Sequence, residues 1–119
     1  MERDQQIAVF NWANRKYKGI NKEWLELMHS TGNGIHSSGK HIAIAKYSGL
    51  KVGLPDIVLP VPNGKYGALY IEMKDFGKKA TKEQLYFIEL LNRYGNYACV
   101  CVGAGEAQVV IEKYLKGEL

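Results

Sequence analysis

Residues 53–74 read GLPDIVLPVPNGKYGALYIEMK, and their pattern decides the fold. Asp56-Ile57-Val58-Leu59 is a brief apolar run between prolines, which suits a strand buried on both faces. Asn63-Gly64 supplies the positive φ values that a tight hairpin turn needs. The returning strand runs from Ala68 to Lys74, apolar through Ile71 and ending in Glu72-Met73-Lys74. Side chains alternate along a strand, so Glu72 and Lys74 project to one face. With the turn centred between residues 63 and 64, Asp56 pairs within a residue of Glu72, and two carboxylates and an ammonium meet at one end of a sheet.

The flanking segments supply the rest of the frame. Glu2 to about Lys18 reads as an amphipathic helix ended by Gly19, with Gln6, Val9, Phe10, Ala13 and Tyr17 as its inner stripe. Glu2 continues that stripe to the helix start, where an acid also suits the positive end of the helix dipole. Leu25 and Leu27 suggest a strand over 23–29, followed by a turn-rich loop through Asn33-Gly34. A short helix is expected near Lys40 to Tyr47. Thr81 opens a helix that runs to about Tyr94 and stops at Gly95, burying Phe87, Ile88, Leu91 and Tyr94. Tyr97 to Val102 is another apolar strand, and Glu106 to Lys116 a closing helix. A helix joining two strands after a hairpin implies an α/β fold, a mixed β-sheet flanked by helices.

The chain has 119 residues, 46% hydrophobic and 24% charged, the make-up of one globular domain over 1–119 rather than a disordered chain. No run approaches the 18 or so apolar residues of a membrane span, in the range of ~18–25. The polar start Met1 to Gln6 is unlike a secretory signal. A soluble, cytoplasmic chain with no membrane partner is expected. Sixteen Lys and Arg against twelve Asp and Glu give a net charge of +4, the weak footprint of a nucleic-acid partner. Cys99 and Cys101 alternate along a strand, so they read as reduced core residues on one face, not as a zinc or redox motif.

Two acids held together usually have a cation between them. A hard divalent metal with oxygen ligands meets that need, and a lysine beside it can orient a nucleophilic water and offset charge developing on a phosphate. An E-x-K pair alone is common on solvated strands. Here it ends a core strand, has Pro55-Asp56 across a hairpin, and precedes the basic loop Asp75-Phe76-Gly77-Lys78-Lys79-Ala80. Thr81-Lys82-Glu83-Gln84 is a capping box, which accounts for Gln84 without any chemistry. Lys78, Lys79 and Lys82 lie where a phosphate backbone would pass, and Lys40, Lys46 and Lys51 flank the approach to Asp56.

Gly53-Leu54-Pro55-Asp56, then Ile71-Glu72-Met73-Lys74, then Gln84 on the next helix resembles the PD-(D/E)xK nuclease superfamily, and more narrowly its virus-type replication-repair nuclease (VRR-NUC) domain. The opening helix with Glu2 and the Asn33-Gly34 loop come in that family's order, so the resemblance covers nearly the whole chain. It implies a restriction-endonuclease-like αβββαβ core, Mg²⁺ or Mn²⁺ as cofactor and DNA as substrate. It also implies Asp56, Glu72, Lys74 and Gln84 as catalytic residues, with Glu2, Asp56, Glu72 and Met73 around the metal. Asn33, Lys40, Lys46, Lys51, Lys78, Lys79 and Lys82 would face DNA. Stand-alone members of this size, of phage or bacterial type, resemble enzymes that cut branched DNA such as four-way (Holliday) junctions as homodimers, with a place in DNA repair. The competing reading is a basic DNA-binding module whose acid cluster is only structural.

Overall fold

A computed structural model describes residues 1–19, 23–32, 47–49 and 51–119. Among them the elements are α1 (Glu2–Tyr17), α2 (Glu23–Leu27), β1 (His29–Ser30), β2 (Ile57–Leu59), β3 (Leu69–Lys74), α3 (Lys82–Arg93), β4 (Tyr97–Val102) and α4 (Ala104–Leu115). The strands form one mixed sheet in the order β1-β2-β3-β4. β1, β2 and β3 pair antiparallel, whereas β3 and β4 pair parallel with α3 as the crossover that a parallel pair requires. This is the expected mixed sheet with helices against it. The short helix anticipated near Lys40 to Tyr47 lies, apart from its end, outside the described residues.

The hydrophobic core occupies one face of the sheet. Leu69, Ile71 and Met73 alternate along β3 and are buried, joined by Ile57 and Leu59 of β2 and Cys101 of β4. Val9 and Ala13 from α1 and Ala107, Ile111 and Tyr114 from α4 close over them without exposed surface. Each fully buried isoleucine or leucine contributes about 2 kcal/mol through removal from water. Cys99 and Cys101 share this face as free thiols, with sulfurs 3.8 Å apart. α1 and α4 are also tied by polar contacts. The Gln5 side chain accepts from the Ala104 N–H (2.9 Å), and Glu112 accepts from Tyr17 and pairs with Lys16.

Three local expectations need correction. Residues 23–27 are helical, not extended. The Met28 N–H donates to Trp24 O (3.0 Å), and the spacing of Trp24, Leu25 and Met28 fits one helix face, with Leu27 half exposed. The two-residue periodicity of Leu25 and Leu27 was coincidental, and the strand begins only at His29. The Asn63-Gly64 turn is wider than a tight hairpin. Gly64 has φ 92° but Asn63 has no positive φ. Asn63 instead caps the loop with its side-chain oxygen, which accepts from the N–H groups of Lys65 and Tyr66 (3.0 and 2.8 Å). The pairing centre hardly moves, since Ile57 lies opposite Ile71 and Leu59 opposite Leu69. Finally, Tyr94 is 78% exposed, and α3 buries no residue fully, with Phe87, Ile88 and Leu91 only half buried.

Candidate metal centre and active site

Register alone carries Asp56 to the position opposite Glu72, one step beyond the Ile57–Ile71 pair. Three devices hold it there. The Thr31 N–H donates to the Asp56 carbonyl (2.9 Å), and the Thr31 hydroxyl donates to the Pro55 carbonyl (2.8 Å). Gly53, at φ 99°, lets the incoming chain pass so close to α3 that a Cβ there would sit 3.2 Å from Glu83 Cβ and from the Phe87 ring. The Met73 N–H then donates to Asp56 Oδ2 (2.8 Å), fixing the carboxylate itself. Met73 gives the site this N–H, since its own side chain lies in the hydrophobic core.

Alternation puts Glu72 and Lys74 on the face of β3 away from that core. Both are nonetheless buried, at 1% and 5% exposure. Lys74 Nζ lies 3.7 Å from Glu72 Oε2 and 3.6 Å from Glu2 Oε2. Glu2 reaches it from the first residue of α1, where the helix N-terminus overhangs the end of β3. The terminal amine of Met1, 2.8 Å from the Asp75 carboxylate, lies beside the same strand end. One oxygen from each of Glu2, Asp56 and Glu72 lies within 4.8 Å of the others.

The electrostatics are those of a site short of positive charge. Three carboxylates face one ammonium. Glu72 Oε2 is buried and, among the described residues, accepts no hydrogen bond. Burial, and then the neighbouring Asp56 charge, push the Glu72 carboxyl up to about 9. Burial raises Asp56 as well, against hydrogen bonds that favour its charged form. Two buried acids that resist ionising together, one with an orphaned oxygen, are poor structural ballast. They fit a divalent cation bound by carboxylate oxygens.

The remaining expected site residues sort differently. Gln84 sits in the capping box, its side-chain oxygen accepting from the Thr81 N–H (2.8 Å) while Thr81 Oγ1 accepts from the Gln84 N–H (3.2 Å). Lys51, Lys78, Lys79 and Lys82 are exposed. Asn33, Lys40 and Lys46 lie outside the described residues. Thr31 and Asp75 carried no signal in the sequence, because their value lies only in which backbone or terminus they meet. Gly53 did carry one, since a glycine before Pro-Asp marks a constrained approach.

A mixed sheet whose central strand presents acid and lysine side by side, opposite an aspartate on the antiparallel neighbour, defines the PD-(D/E)xK nuclease class. The model of the VRR-NUC domain matches residues 3–105, and the chain belongs to that family. A solved VRR-NUC domain protein is 34% identical and superposes with a TM-score of 0.77, covering 98% of this chain and 88% of that one. No curated protein matches the sequence. Family membership implies nuclease-type chemistry with DNA as substrate and a divalent metal. Among the described residues, no helix is long and apolar enough to cross a membrane.

Proposed function

We propose that residues 1–119 form one nuclease domain that hydrolyses DNA phosphodiester bonds with Mg²⁺ or Mn²⁺. Its preferred substrates on this reading are branched DNAs such as four-way junctions. The observation that carries the reading is the buried Glu72 oxygen that accepts no hydrogen bond among the described residues, grouped with oxygens of Asp56 and Glu2. These three carboxylates would hold the cation. When bound, it supplies Lewis acidity toward phosphate and eases deprotonation of water.

The chain's own residues do the rest. Met73 orients Asp56 through its N–H. Lys74, between Glu2 and Glu72, would hold a water by hydrogen bonding and stabilise charge on the phosphate oxygens. Lys78, Lys79 and Lys82 follow the active strand and would carry the strand's phosphates. A homodimer places two such sites against two strands of a junction. Supporting it, Leu85 and Tyr86 on α3 are more than half exposed, apolar surface that a second copy would cover.

The test is incubation of the purified protein with Mn²⁺ and linear, flapped and four-way DNAs. Cutting of the branched species is expected, lost in D56A, in K74A and in excess chelator. Sedimentation reads the dimer. Salt-dependent binding without cutting under any divalent metal would instead support the binding module.

A further inference from the structure

Phe76 lies two residues beyond Lys74 and is 71% exposed, yet its placement is fixed. The Lys78 N–H donates to the Asp75 carbonyl (3.1 Å), closing a four-residue turn, and Gly77 at its third position has φ 81°. That is the type II pattern, with Phe76 at the second position, the apex. The Asp75 side chain accepts from the Phe76 N–H (3.0 Å). Behind the ring stands Gly103, bonded through its N–H to the Lys74 carbonyl (2.9 Å). A Cβ at position 103 would lie 2.8 Å from Phe76 Cζ, so only a glycine lets the ring rest there. The outer end of the phenyl ring thus rests against Gly103, while most of its surface is open.

Its surroundings select what could cover it. Lys78 and Lys79 follow directly and are exposed. A flat apolar ring beside two ammonium groups suits a flat aromatic ligand on an anionic backbone. Two residues span at most about 7 Å, so such a ligand lies next to the acid cluster. We infer that Phe76 is a stacking platform for an unpaired nucleobase of the DNA strand bound at the Asp56–Glu72–Lys74 site. A base inside a duplex has both faces covered by its neighbours and cannot use the ring. The residue therefore favours single-stranded, flapped or branched DNA over uninterrupted duplex. This rests on the nuclease reading above and adds to it the feature of the substrate that is recognised.

The test is binding in chelator, where hydrolysis is not expected, with oligonucleotides carrying 2-aminopurine at an unpaired position. The wild type should quench the probe on single-stranded and flapped DNA. F76A should lose the quench and bind these DNAs about tenfold more weakly, leaving affinity for a closed circular duplex unchanged. F76W should restore both. Absence of quenching by the wild type overturns the inference, and that measurement stands even if F76A folds poorly. Equal loss by F76A on duplex and single strand, or no loss on either, also overturns it. Cutting in Mn²⁺ is read separately. A wild type that quenches but never cuts refutes hydrolysis and leaves stacking standing, and one that cuts without quenching does the reverse.

Discussion

Replacing Glu72 by glutamine probes the site without asking it to cut anything. In the metal-free protein the Glu72 carboxyl is held near 9, against an ordinary value of 4.5. Between pH 5.5 and 7.5 the folded chain therefore keeps a proton that the unfolded chain has released. Stability contributed by that proton is complete below the unfolded value and is lost as pH climbs toward the folded one. Each pH unit costs about 1.4 kcal/mol per retained proton, so the two-unit span removes about 3 kcal/mol. For a chain of this length that is a fall of about 10 °C in Tm. Asp75 and Glu112, whose carboxyls are lowered by their cationic partners, finish titrating below this window. The histidines are common to both proteins and cancel in the comparison. Urea unfolding in EDTA at pH 5.5, 6.5 and 7.5 should show wild-type stability dropping more steeply than that of E72Q. Mn²⁺ competes with the retained proton, so its stabilisation of the wild type should grow with pH and be largely absent in E72Q. Parallel pH profiles for the two proteins, or a wild type that gains stability across the window, would show that burial and the neighbouring Asp56 do not hold Glu72 protonated.

Three further outcomes are expected. G53A forces a side chain into the left-handed region and against Glu83 and Phe87, so it should lose about 1–3 kcal/mol in urea unfolding and cut about a hundredfold more slowly as Asp56 shifts. T81A should cost about 1 kcal/mol by removing a helix cap, and Q84A no more than that. Cleavage by the two should fall alike, whereas a collapse in Q84A alone would put the glutamine amide on the substrate. Removing Lys78 or Lys79 should each reduce the slope of log affinity against log salt by about 0.9 on duplex DNA, the signature of one phosphate contact, measured by fluorescence anisotropy.

What the sequence disclosed and what it hid follow from the range of the interactions. β2 and β3 were legible because strands buried on both faces carry continuous apolar runs, β4 because its run is apolar throughout though only partly buried, and α1, α3 and α4 because their stripes exceed two turns. The Asp56–Glu72 encounter was legible because a hairpin converts separation along the chain into proximity, and the registration survived the misjudged turn. Symmetry about residue 64 depends on the loop's midpoint, not on its conformation. Residues 23–28 fit either periodicity because a five-residue helix has too few turns to separate one from the other, leaving burial of Trp24, Leu25 and Met28 to decide. The exposure of Tyr94 had no local cause to read. It depends on where α3 leaves the sheet, which is set by Asn92 hydrogen-bonding in both directions with Ala98.

The apolar core and the acid–lysine group lie on opposite faces of this sheet, and the division explains why buried acids are tolerated. Val9, Ala13, Ile57, Leu59, Leu69, Ile71, Met73, Ile111 and Tyr114 lie on one side, where α1 and α4 seal them. The other side carries Glu72 and Lys74, and α3 adds no fully buried residue there. Like-charged groups in such a position weaken the fold when metal is absent, so the apolar face must hold the strands in register against them. That same rigidity is what a cation requires, because oxygens that could relax apart would lose both their mutual repulsion and their affinity. A site built on relaxed, solvated acids would be more stable empty and bind metal less well. On the proposed reading, the penalty at Glu72 and the capacity to bind a divalent ion would be one property of β3, and a substitution that removes the first would remove the second.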